Sequence, residues 1–177
     1  MKLTIREIAI YGVLGGMMYA TKRAMEFLPN IHLLGVFVIA MTVVYRKKAL
    51  YPIYTYVIIE GVLSGFSTWW IPYTYIWTVL WGCAMLLPQK LPVKARPFIY
   101  MGLCALHGFL FGTLYAPVQA LVFGLDFAGM LAWIVAGLPF DIVHGISNFF
   151  CGALICPLIS ILKRSPNIFQ TVDKGSR

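Results

Sequence analysis

Apolar residues run along this chain in six long stretches, at about residues 4–25, 30–45, 49–66, 70–87, 98–122 and 139–162, with polar residues gathered in the gaps. A helix needs roughly 20 apolar residues to cross a bilayer. The pattern therefore predicts six transmembrane helices. The second stretch is short, and either thins the bilayer locally or begins within the preceding loop. Pro29, Pro52, Pro72 and Pro139 stand at or near segment starts, where a missing amide costs little. The segment from Pro88 to Pro97, with three prolines and three positive charges, is the one true linker. Residues 123–138 are apolar with several glycines and one charge, Asp126, and predict an outer loop or a short interfacial helix. The whole reads as one six-helix domain over 1–164, with a loose polar tail over 165–177.

Composition makes the bilayer reading stronger. Of 177 residues, 60% are hydrophobic and 11% charged, and the mean hydropathy is +0.83. A water-soluble domain of that size could not bury so much apolar surface. Charge then orients the chain. Twelve of the 14 Lys and Arg residues fall on one side of the six-span map: Lys2, Arg6, Arg46, Lys47, Lys48, Lys90, Lys94, Arg96, Lys163, Arg164, Lys174 and Arg177. Short basic loops stay in the cytoplasm, so both termini are expected there. A net charge of +8 would suit nucleic acid, but its placement reads as topology and attraction to anionic lipid headgroups, with no nucleic-acid partner. Cys83, Cys104, Cys151 and Cys156 lie in apolar stretches without a CxxC pair and read as packing residues.

The first stretch carries a ridge of small residues, Gly12, Gly16, Ala20 and Ala24, four apart and so on one helix face. Such ridges let helices approach closely in lipid, within the molecule or against a partner. A second ridge, Gly108, Gly112 and Ala116, reads as internal. The opening Leu3-Thr-Ile-Arg-Glu-Ile8, the segment Leu28-Pro-Asn-Ile-His-Leu33 and the run Pro139-Phe-Asp-Ile-Val-His-Gly-Ile-Ser-Asn148 complete the pattern. Together with six helices, internal termini and the small-residue motif, these resemble the substrate-binding S component of an energy-coupling factor (ECF) transporter over nearly all of residues 3–164. The resemblance implies a multi-pass protein of the prokaryotic plasma membrane that binds a vitamin or related micronutrient. It further implies docking through helix one onto a transmembrane coupling subunit, with ATP hydrolysed by two partner ATPase subunits. Gly12–Gly16 and Ala20–Ala24 are the two registers available for docking.

Several polar groups that are costly in hydrocarbon map to the outer half. Glu60 lies near the outer end of the third helix, where an ionisable group faces a cavity or a partner. Asp141, His144 and Asn148 follow i, i+3, i+7 on one face of the last helix, lining a pocket or bonding between helices. Asp141 also suits a helix N-terminus. Loop one supplies Glu26, Asn30 and His32. Loop three supplies Trp69, Trp70, Tyr73 and Tyr75, with Trp77 deeper. Such aromatics either anchor a membrane boundary or stack on a flat ligand. Gln119 is a further candidate, whereas His107 reads as structural, bonded to a backbone carbonyl. Lys22 and Arg23 are the two exceptions to the charge map, open to pairing with Glu26, to reaching headgroups or to meeting an anionic ligand.

These residues are assigned to binding, with no catalytic group, metal ligand or cofactor. No GxxxxGK[ST] occurs, so the chain cannot cradle nucleotide phosphates itself. Two alternatives compete: an intramembrane enzyme using Asp141, His144 and Glu60, and a small secondary transporter that needs no ATPase.

Overall fold

The computed structural model describes the backbone of residues 3–174 and the side chains of residues 3–164. Every element among them is helical: α1 (Ile5–Ala24), α2 (Leu34–Tyr45), α3 (Leu50–Ser64), α4 (Tyr73–Leu86), α5 (Arg96–Phe109), α6 (Phe111–Phe123), α7 (Phe127–Cys151) and α8 (Ile155–Lys174). Lys2 and Arg177 lie outside the described residues, as do the side chains of the expected tail from Ser165 onward.

Two helical stretches, Arg96–Phe123 with 28 residues and Phe127–Arg164 with 38, are long and apolar enough to cross a membrane by length and composition. The other expected spans do not reach that measure. α2, α3 and α4 have 12, 15 and 14 residues, about 18–23 Å at the helical rise, and α1 carries charges at both ends.

α2 is the axis of the fold. All nine residues from Leu34 to Thr42 are buried, so the helix is apolar on every side and covered on every side. It packs against α4 and α8, with α5 and α7 also touching it. α1 lies on α3, burying Tyr11, Leu14, Gly15 and Met18. Thr4 and Glu7 start α1 with a capping box, and Glu7 also pairs with Lys48 in the 3-10 turn between α2 and α3.

The largest departure from the sequence expectation lies at residues 123–138, which form neither an outer loop nor a separate interfacial helix. Asp126 caps a helix by accepting from Gly129 N at 2.7 Å, and α7 then runs from Phe127 through Pro139 to Cys151. Pro139 sits inside the helix and does not begin one. Prolines persist inside such apolar helices because neighbouring groups satisfy the freed carbonyls. A second departure is the break at Leu110, which divides the expected single helix 98–122 into α5 and α6.

Candidate functional site

The break at Leu110 sets up the site. α6 begins with Gly112 N donating to both carboxylate oxygens of Asp141, at 3.0 and 3.2 Å. Asp141 therefore lies mid-helix in α7 and caps a neighbour; the expected placement at its own helix's N-terminus is incorrect. Even a methyl group at Gly112 would overlap that carboxylate. One turn below, a side chain at Gly108 would strike His144 O and Gly145 Cα, so α5 and α7 approach there at backbone distance. The ridge Gly108, Gly112 and Ala116 is thus internal, as expected. The opposite holds in α1. A methyl group added at Gly12 or Gly16 would meet nothing within 4 Å, while Gly15 faces Thr55 and Pro52 of α3. Ala20 and Ala24 are exposed. The α1 ridge points away from the rest of the chain.

Between the helix ends lies a cavity of about 200 Å³, walled by Lys22, Met25, Glu26, Asn30, His32, Tyr73, Phe111 and His144. A second, open groove of about 400 Å³ shares Asn30 and Phe111 with it and is lined further by Tyr115, Trp133, Phe140 and Asp141. One side of the first cavity is an ion pair. Lys22 Nζ donates to Glu60 Oε1 at 2.5 Å, and Ser64 Oγ reaches the same oxygen at 3.1 Å. Glu60 is 1% exposed and Lys22 21%. The ammonium also stands 5.4 Å from the Tyr73 ring centre and 5.9 Å from that of Trp69, within cation–π range. Arg23 pairs with Glu26 at 2.7 Å. Lys22 therefore does not pair with Glu26, one turn on; it crosses to α3.

The other side is aromatic. His32 and His144 meet edge to face with ring centres 4.7 Å apart, and His32 lies 6.0 Å from Trp77. His32 Nδ1, His144 Nε2, Trp77 Nε1, Glu60 Oε2 and both amide atoms of Asn148 are buried without a hydrogen-bond partner. Buried polar atoms are normally satisfied; of these residues His32 and His144 line the first cavity, while Glu60, Trp77 and Asn148 do not, so the two imidazole nitrogens are the ones a polar group in the cavity would meet. An imidazole nitrogen can donate or accept, and an amide offers both.

The remaining expected residues have other tasks. Trp70 Nε1 donates to Val57 O at 2.8 Å and holds loop three on α3. Tyr75 Oη donates to Leu114 O at 2.6 Å and ties α4 to α6. Trp69 accepts through its carbonyl from Tyr115 Oη. Gln119 lines neither the cavity nor the groove. His107, as expected, meets a backbone carbonyl, that of Ile76 at 3.2 Å. Asn30 takes a left-handed backbone (φ 61°), and its carbonyl accepts from Ser147 Oγ at 2.9 Å. Lys22 and Phe111 are cavity residues absent from the sequence-derived set. Lys22 has a signal: a deep acid at Glu60 needs a cation, and only Lys22 and Arg23 lie outside the basic loops. Phe111 has none.

For the enzymatic alternative, two imidazoles converge, but Glu60 is held by Lys22 and Asp141 by Gly112. Among the described residues, no three of His, Cys, Asp and Glu stand together so as to hold a metal ion. Compared with known protein families, curated proteins and solved structures, the chain matches none of them.

Proposed function

We propose that this chain is a membrane-embedded binding subunit for a small, ring-bearing solute, working as the S component of an ECF transporter. The observation that carries the reading is the first cavity. Lys22, itself paired with the buried Glu60, and two facing imidazoles, each with a buried nitrogen that has no partner, line it under the segment between α1 and α2. Polar selectivity within an otherwise apolar bundle is what a solute-binding site requires. At about 30 Å³ per water, the cavity equals about seven waters, a volume that suits one or two fused rings.

Six spans belong to this proposal. Large apolar side chains are exposed on the helices other than α2: Val13 and Met17 on α1, Ile58 and Val62 on α3, Val79 on α4, Leu106 on α5, Leu121 on α6, Ile146 on α7 and Ile161 on α8. Only 33% of the residues in each long apolar window are buried. Water would not tolerate such a surface on a monomer, and lipid would. The short helices then need local thinning of the bilayer. The outward-facing ridge of α1 suits docking on a coupling subunit, whose ATPase partners would supply the energy.

Native mass spectrometry of the gently purified protein tests the site: a small ring compound is expected to co-purify and to be lost in Glu60→Gln or His144→Ala. Uptake that persists in cells lacking the coupling subunit would overturn the transporter assignment.

A further inference from the structure

At the end of the bundle opposite this cavity, the ends of α2, α4, α5 and α8 enclose a recess of about 220 Å³. Arg46, Gln89, Tyr100 and Lys163 supply its polar lining, beside Val43, Ala84, Leu87 and Pro88. Arg46 is fixed there by two contacts. One guanidinium nitrogen donates to Met85 O at 3.0 Å, and Trp81 Nε1 donates to the Arg46 carbonyl at 3.1 Å. Its backbone is held at φ 54°, a left-handed conformation unusual for a residue with a side chain. Strain of this kind persists where surrounding structure enforces it, often at a binding site. A guanidinium has five N–H donors, and the bond to Met85 uses one nitrogen.

The recess has cations without matching acids. Among the described residues Glu7 is the one carboxylate near this end, and Lys48 already pairs with it. Lys163 makes no hydrogen bond or ion pair among the described residues, and neither does the Tyr100 hydroxyl. Leu86, next to the lining residue Leu87, is 85% exposed. An anion that bound here would place its charge in the recess, with a bare apolar side chain at its edge for anything attached to it.

We infer that this recess seats the phosphate headgroup of an anionic phospholipid from the basic-side leaflet, with its acyl chains leaving the recess past Leu86. Basic pockets between membrane helices on the cytoplasmic side are the usual form of such sites, and Arg suits phosphate through its planar fork of donors. The inference rests on the membrane placement proposed above but on no transported solute, so loss of solute binding leaves it standing.

The test uses the full chain reconstituted in phosphatidylcholine with or without phosphatidylglycerol, then released and weighed by native mass spectrometry for retained lipid. One phosphatidylglycerol is expected to be retained in preference to phosphatidylcholine. Arg46→Gln with Lys163→Gln should weaken that retention roughly thirtyfold, about 2 kcal/mol at about 1 kcal/mol per basic residue. Lys47→Gln with Lys94→Gln removes the same charge outside the recess and should leave retention within about twofold. Because Arg46 also holds Met85, Lys163→Gln alone is the variant least able to disturb folding, and it should lose roughly fivefold. Equal retention of the two lipids, or equal losses in both double variants, would overturn the inference. Displacement of the lipid by inorganic phosphate alone would overturn it too, by assigning the recess to a free anion.

Discussion

Removing Lys22 should damage the fold more than removing the acid it pairs with. Lys22→Met leaves the Glu60 carboxylate, 1% exposed, with Ser64 as its one remaining hydrogen-bond donor of ordinary length. Stripping one partner from a buried pair costs about 3–5 kcal/mol. Lys22 is itself 21% exposed, so water offsets part of that and the lower figure, about 3 kcal/mol, applies. Glu60→Gln is different. It leaves an ammonium on a long stem that can turn toward water, and the loss should be about 1 kcal/mol, that of a hydrogen bond. The double variant Lys22→Met, Glu60→Gln removes both charges and should lie closer to the parent than Lys22→Met does. In a chain of this size about 3 kcal/mol corresponds to roughly 6–12 °C in melting temperature, readable from tryptophan fluorescence in mild detergent. If Lys22→Met melts no lower than Glu60→Gln, or the double variant shows the sum of the two losses, the pair does not join α1 to α3 and the reasoning fails.

Other outcomes follow from close approaches in the fold. Gly15→Leu would drive carbon into Thr55 and Pro52, where even a methyl would stand 2.6 and 3.0 Å away; overpacking of about 1–3 kcal/mol is expected in the same melting assay. Gly16→Leu, by contrast, points into open space and should leave the melting temperature within a few degrees while abolishing co-purification with a coupling subunit. Asp141→Ala strips the amide of Gly112 of its acceptor and should cost about 1–3 kcal/mol, whereas Asp141→Asn keeps an oxygen there and should cost less than half of that. On the proposed function, His32→Ala and His144→Ala should each weaken capture of the solute at least tenfold with little change in melting. That readout is quenching of tryptophan fluorescence, since Trp77 lies 6.0 Å from His32.

How much of this is legible in the sequence depends on the range of the interaction. α1, α3 and α4 stand close to their expected limits because apolar length and flanking polar residues are local properties. Glu60, His144 and Asn148 stand out as polar residues in apolar runs, and all three are buried. Pro139 misleads because a proline inside an apolar helix reads the same as one at its start; the N-cap at Asp126 is the stronger signal for where α7 begins. Trp70 and Tyr75 join the expected site by residue type alone. Their hydrogen bonds to Val57 and Leu114 are tertiary facts that no local pattern encodes. Charge balance narrows the partner of Glu60 to Lys22 or Arg23, and the fold selects Lys22. Phe111 depends on the break at Leu110, which in turn depends on Asp141 reaching Gly112 across 29 residues of chain.

The segment between α1 and α2 shows how the ion pair bears on binding. It roofs the first cavity with Met25, Glu26, Leu28, Pro29 and Asn30, and is fastened at both ends to different helices. Lys22, one turn before it, is held by Glu60 of α3. Beyond it, the Asn30 carbonyl is held by Ser147 and the His32 ring lies against His144, both on α7. Lifting the roof therefore means breaking a charged contact at one end or a hydrogen bond and a ring contact at the other. The second is the smaller cost, a neutral hydrogen bond contributing about 1 kcal/mol and a ring pair about 0.5–1.5 kcal/mol. Opening should accordingly hinge at the Lys22 end and part at the α7 end, next to the open groove that Asn30 and Phe111 also line. On the proposed function, Ser147→Ala then speeds both entry and release of the solute several-fold with little change in affinity. Lys22→Met instead lowers affinity by disturbing the wall itself. Stopped-flow fluorescence separates the two, and equal effects of both variants on affinity would mean that the roof does not open from the α7 side.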